Sequence, residues 1–393
     1  MSIRENYNHT IYASYIGYIT QAIVNNYAPL LFLTFSRQYA LTLDRITLIT
    51  TVNFAVQLLV DLLSTRVVDR IGYRVCIVFA HIAACLGLAG LSILPNLLPN
   101  PYTGILISVI CYAIGGGLIE VLISPIVEAC PTEKKEAAMS LLHSFYCWGH
   151  LAVILLSTLF FTAAGIERWN ILALLWAIVP LINSFYFSAV PLYSITQDRE
   201  PMSIRSLFAQ KIFWVLMVVM VCAGASEQAM SQWASAFAES ALHVSKTMGD
   251  LAGPCAFALL MGIARAFYGK YADRIPLKRM MMGCAALCIA AYLVAALSPN
   301  PVLGLIGCAV CGFTVGIFWP GTFSIAAYNM PAAGTAMYAL MALAGDVGCS
   351  GGPTVVGLVA NASGGNLKPG LLAALVFPLF ILAGISRLKH RQR

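Results

Sequence analysis

The chain has 393 residues, 60% of them hydrophobic and only 10% charged, against about 25% charged in an average soluble domain. A water-soluble core cannot hide that much apolar surface, so lipid is the solvent for most of it. The net charge of +7 sits in short segments between apolar runs, where basic residues orient membrane proteins, which argues against nucleic acid as a partner.

Apolar runs of about 20 residues predict twelve membrane-spanning helices. They lie near 11–35, 46–65, 75–95, 102–127, 137–163 and 169–190, then 211–238, 248–269, 280–297, 302–328, 333–360 and 370–387. The expected fold is an all-α membrane protein of two pseudo-symmetric six-helix halves, 1–190 and 211–393. The polar segment 191–210 is the expected cytoplasmic linker. Nothing in Met1–Thr10 resembles a basic n-region ahead of an apolar core, so a removable signal peptide is not expected. With both termini inside, the inner side carries 18 of the 23 Lys+Arg, Arg265 counted among them. That asymmetry predicts a multi-pass plasma (bacterial inner) membrane protein with cytoplasmic termini.

The first span carries Asn25 and Asn26, and the second Asn53 and Gln57. Between the second and third spans stands a charge-dense hinge, Arg66–Arg74, holding Asp69, Arg70, Gly72 and Arg74. It returns 204 residues later, from Asp69 to Asp273, as Lys270–Arg279 with Asp273 and Arg274. A hinge repeated half a chain apart points to a duplicated membrane protein. In the fourth span Glu120 has no basic residue within ten positions. An acid at bilayer depth is costly, which makes Glu120 a candidate proton carrier. His143 and Tyr146 in the fifth span are candidate substrate ligands.

The seventh span has the densest polar patch, Glu227, Gln228, Ser231, Gln232, Trp233 and Ser235. On a helix Gln228 and Gln232 stack at i and i+4. Their amides suit sugar hydroxyls, Trp233 offers an apolar face to a pyranose, and Glu227 is a second proton-coupling candidate. In the tenth and eleventh spans Trp319 and Asn329 are further substrate candidates, and Asp346, among glycines, is a gating candidate. The twelve cysteines are scattered through apolar runs and form no metal or disulfide framework.

Twelve spans, a central loop and the repeated Asp-Arg hinge together resemble the major facilitator superfamily. Its hinge signature is matched by Asp69, Arg70, Gly72 and Arg74, with Thr65 and Tyr73 as departures. The second copy keeps Gly269, Asp273, Arg274, Lys278 and Arg279, with Pro276 in place of a glycine. Three stretches resemble the fucose-permease-like branch of sugar–proton symporters: Gly115–Pro125 around Glu120, Leu142–Tyr146, and Gly345–Pro353 around Asp346. The first-span aspartate of some members is missing, replaced by Asn25 and Asn26. The resemblance implies that Asp69, Arg70, Gly72, Arg74, Asp273 and Arg274 form cytoplasmic latches.

The expected function is import of a monosaccharide or similar small polyhydroxy solute by proton symport with alternating access, with Glu120 and Glu227 coupling the proton. The expected substrate ligands are Asn26, Gln57, His143, Tyr146, Gln228, Gln232, Trp233, Trp319 and Asn329. No enzyme activity, cofactor or metal is expected beyond the co-transported proton, with sodium the alternative ion. The partners are a solute and the bilayer, and the working unit is a monomer. The rival readings are a proton-coupled drug or metabolite exporter on the same fold and a non-transporting membrane receptor or scaffold.

Overall fold

A computed structural model of the protein describes residues 3–132, 135–193, 204–271, 275–330 and 334–388. Among the described residues every regular element is a helix. Among these residues eleven helical segments are long and apolar enough to cross a membrane. The remaining expected span, 11–35, is built from two helices rather than one. There α1 (Tyr7–Asn26) and α2 (Phe32–Tyr39) are joined by a tighter 3-10 turn, Ala28–Leu31, that begins with Ala-Pro. Proline has no N–H for the helical ladder and is accommodated at the start of such a turn. The fold is therefore the all-α, twelve-span one expected from the sequence.

The chain divides into two compact units, Met1–Leu41 with Val52–Asp198, and Thr42–Thr51 with Arg199–Arg393. The first holds α1, α2, most of α3 (Leu43–Ile71), α4 (Tyr73–Leu97), α5 (Pro101–Glu128), α6 (Lys135–Ala164) and α7 (Trp169–Ala189). In the second, α8 (Ile204–Phe208) precedes α9 (Lys211–Ser231), α10 (Ala234–Ser240), α11 (Lys246–Asp250) and α12 (Ala256–Tyr271). There follow α13 (Leu277–Leu297), α14 (Pro301–Val315), α15 (Phe318–Asn329), α16 (Gly334–Ala362), α17 (Leu367–Ala373) and α18 (Val376–Arg387).

Lipid is as apolar as a leucine side chain, so helices in it associate through close packing and hydrogen bonds rather than through escape from water. Small residues supply that closeness. Gly115 lets α5 lie on the backbone of α4 at Ala80 and Ala84, and Gly348 lets α16 lie against the Val221 carbonyl of α9. A side chain at either position would enter the facing backbone. Around the first contact Ile77, Ala80, Ile119, Leu122, Ile123, Leu142 and Phe187 close a core shared by α4, α5, α6 and α7.

The two units share local signals. Both α5 and α14 begin with Asn-Pro: Asn100 Oδ1 accepts from Tyr102 N–H at 3.0 Å, and Asn300 Oδ1 from Val302 N–H at 2.9 Å. Asparagine satisfies a first-turn donor that the helix leaves free, and proline fits the next position because its missing N–H is not needed there. This second repeat, Pro99-Asn100-Pro101-x-x-Gly104 and Pro299-Asn300-Pro301-x-x-Gly304, reinforces the duplication.

Candidate functional site

In the first unit the polar side chains of three helices meet. Gln21 and Asn25 stand one turn apart on α1, and Asn53 and Gln57 one turn apart on α3. Asn25 Oδ1 accepts from Asn53 Nδ2 at 3.1 Å and from Gln57 Nε2 at 2.8 Å. One turn towards the start of α1, Gln21 Nε2 donates to Glu120 Oε2 at 2.5 Å. Tyr18 Oη and Ser124 Oγ share a 3.0 Å hydrogen bond beside it. Gly117 admits Gln57 against α5, where a Cβ would crowd the Gln57 backbone, and a Cβ at Gly116 would press on Val24 of α1. Gln21, Asn25, Asn53 and Gln57 are all buried. Gln21 Oε1 and Asn53 Oδ1 have no hydrogen-bond partner among the described residues. Buried amide oxygens in that condition are costly in lipid and are suited to hydroxyl donors from a solute.

The other candidates of this unit fall in two groups. Gln57 and Glu120 belong to the cluster. Asn26 turns away from it, its Nδ2 donating to Ala22 O at 2.9 Å, as a side chain capping its own helix. His143 is exposed, its ring 5.5 Å from that of Tyr18, and half-buried Tyr146 lies 6.4 Å from His150. His81 is buried and tied at both ring nitrogens, to Ile77 O at 2.8 Å and to Asn183 Nδ2 at 2.8 Å, which marks it as packing.

In the second unit a row of polar groups follows α9. Gln232 Nε2 donates to Gln228 Oε1 at 3.1 Å, as the i, i+4 spacing predicts, and Gln228 Nε2 donates to Glu227 Oε1 at 3.3 Å. Glu227 Oε2 faces Arg265 Nη2 of α12 at 3.9 Å. The seventh run is not one helix as expected. It breaks at Gln232–Trp233, and α10 resumes at Ala234. The break sends Ser235 to another partner, its Oγ donating to Asp250 Oδ1 at 2.5 Å, with Lys246 Nζ 2.8 Å from the same oxygen. Trp233 is packed rather than open: it is 1% exposed and its Nε1 donates to Pro353 O at 2.9 Å. Trp319 is half-buried with its ring over Gly345, the neighbour of buried Asp346. Asn329 Nδ2 donates to Ile325 O at 2.8 Å.

Of the hinge residues, Asp273 and Arg274 lie outside the described residues, as does the side chain of Asp69. Arg70 is exposed. Gly72 connects α3 to α4 with φ +92°, a left-handed backbone that favours glycine. Arg74 Nη1 donates to Phe187 O and Ser188 O, both at 2.9 Å, in the last turn of α7. Lys278, 204 residues later, does the same for α18, its Nζ donating to Ser386 O at 3.0 Å and Leu388 O at 2.6 Å. Carbonyls at a helix C-terminus lack helical partners and carry the negative end of the dipole, so a cation there satisfies both.

Gln21 and Arg265 were not singled out from the sequence as site residues, and Lys278 entered only as a kept position of the second hinge. Arg265 was legible in principle, because it stands inside the apolar stretch Lys246–Tyr268 rather than in a loop.

The Major Facilitator Superfamily profile matches residues 14–353. The chain belongs to the major facilitator superfamily. Solved structures of superfamily transporters share its fold at low identity. A bacterial homolog to the human lysosomal transporter Spinster, inward-facing and unoccupied, aligns at 14% identity and TM-score 0.77 over 97% of this chain and 96% of that one. The E. coli fucose:proton symporter FucP aligns at 14% identity and TM-score 0.67, over 97% and 98%. The nucleoside transporter NupG aligns at 13% and 0.76, over 96% and 99%. No curated protein sequence matches the chain. The superfamily assignment points to a transporter of small solutes in the bilayer rather than to an enzyme.

Proposed function

We propose that this superfamily member imports a monosaccharide or similar small polyhydroxy solute by proton symport with alternating access. The observation that carries the reading is Glu120, a carboxylate inside an apolar helix, bonded to Gln21 beside a cluster of buried amides. The carboxylate takes the proton, and the amides exchange their mutual hydrogen bonds for solute hydroxyls. One proton moving inward carries about 2.3 kcal/mol per 100 mV of membrane potential, enough to drive accumulation. Likeness in fold to a fucose:proton symporter supports this reading. In this reading the protein sits in the bacterial inner membrane with both termini cytoplasmic and acts as a monomer. Asp69, Arg70, Asp273, Arg274 and Asp346 take the gating roles, and sodium is the alternative ion.

The test uses proteoliposomes with a trapped pH dye, challenged from outside with monosaccharides and polyols. Lumenal acidification by one of them is the expected result, and silence from folded protein would sink the reading. Glu120→Gln should abolish uphill uptake and keep solute exchange across the membrane. Loss of both would make Glu120 a binding or folding residue instead.

A further inference from the structure

Arg265 is a guanidinium within a membrane-crossing segment, Lys246–Tyr268, and a neutral sugar gives no reason for it. Ionisable groups at such depth are expensive and mark solute or ion paths. Its placement has a local cause. Gly316 O would accept a helical bond from the residue four positions on, but that residue is Pro320, which has no N–H. Arg265 Nε donates to that carbonyl at 3.3 Å, at the break between α14 and α15. The guanidinium is thereby anchored by one edge, with Nη2 directed at Glu227 Oε2 across 3.9 Å. That separation is a charge contact beyond hydrogen-bond range. Both side chains keep some exposure, 21% for Arg265 and 11% for Glu227. Ser231 stands one turn beyond Glu227, 4% exposed, and its Oγ has no hydrogen-bond partner among the described residues.

We propose that Arg265, with Glu227 and Ser231, forms a docking site for a carboxylate on the transported solute, so that the substrate class is an acidic sugar such as a hexuronate. This rests on the sugar–proton function proposed above and narrows it. The guanidinium fork matches a carboxylate in two parallel N–H···O bonds, and Ser231 Oγ–H is a further donor. Ionised Glu227 is the resident competitor for that fork. When Glu227 takes a proton its charge is gone, and the solute carboxylate replaces it opposite Arg265. The anion then crosses with the proton on Glu227 as well as the one on Glu120, so that one net positive charge moves inward and the membrane potential still drives uptake. In the cytoplasm the acid gives up its proton and reclaims the arginine.

Other titratable and charged groups stand on the helices around α9. Among the helices packed on α9, α14 carries Cys308 and Cys311 and α16 carries Asp346, while Tyr292 of α13 donates to Ser226 O at 2.7 Å. Tyr328, Arg387 and Arg205 belong to the last turns of α15, α18 and α8.

The full-length protein in proteoliposomes with a trapped pH dye is given galacturonate or glucuronate and, separately, galactose or glucose. Hexuronates should acidify the lumen at half-saturating concentrations at least about tenfold below those of the matched hexoses, a difference of about 1.4 kcal/mol. R265Q should erase that preference and R265K retain part of it. E227Q should keep hexuronate binding, read as a thermal shift, while flattening its dependence on pH. Acidification by hexoses alone, or a hexuronate preference that R265Q leaves in place, overturns the carboxylate site and leaves sugar–proton symport standing. Silence to both sugar classes, from protein with an intact melting transition, overturns both.

Discussion

Gln21 meets Glu120 at 2.5 Å through its Nε2, while its Oε1 is buried without a partner among the described residues. A hydrogen bond to a charged group contributes about 1.5–3 kcal/mol. Gln21→Ala is therefore expected to reduce proton-driven uptake by about tenfold or more and to move the pH of half-maximal uptake, while solute exchange between equal pools persists. A loss of exchange equal to the loss of uptake would show that Gln21 only holds the helices together. Glu120 was legible in the sequence because an acid alone in an apolar run announces its cost. Gln21 was not, because its importance depends on α1 touching α5, and no local spacing encodes which helices meet. Arg265 shows the opposite failure. Its position inside an apolar stretch was visible, but counting it with the loop cations hid it.

At the scale of the helix, apolar run length identified the spans, since about 20 residues must cover the hydrocarbon core. The breaks within them were less visible. The seventh run is interrupted at Gln232–Trp233 and the tenth at Gly316–Ile317. The second has a sequence cause in Pro320, yet the bond that makes it tolerable comes from α12. Between α9 and α16 the contact is backbone to backbone, with Gly348 against the Val221 carbonyl. Gly348→Ala must push the two helices apart. Overpacking of this kind costs about 1–3 kcal/mol, and a lower melting temperature in detergent is the expected outcome. Gly351, inside the same helix, where an added Cβ would meet nothing within 4 Å, is the control: Gly351→Ala should melt no lower than the parent, because alanine is the better helix former.

For the whole molecule, the duplication is written more than once. The Asp-Arg hinges recur at 204 residues, and the Asn-Pro starts of α5 and α14 at 200. Arg74 and Lys278, also 204 apart, each hold the last turn of the final long helix in their own unit. The proposed orientation predicts where probes will react. A cysteine placed at exposed Arg70 in a cysteine-free background should react with an impermeant maleimide only in inside-out vesicles. Labelling in intact cells would reverse the topology. The basic asymmetry of the loops is what this expectation rests on; the helix end that Arg74 meets had no such signal, because a loop cation gives no hint of which helix end it will meet.

The Lys278 contact also has a mechanical consequence. Its ammonium grips two carbonyls, Ser386 O and Leu388 O, near the end of the chain. Drawn out of the bilayer by its C-terminus, the protein should resist first at this grip, so that α18 leaves together with α13 in a single rupture. With Lys278→Ala the first rupture should be weaker and release only α17 and α18. Single-molecule force curves of the two proteins, compared by the length of chain freed in the first step, would read the difference directly.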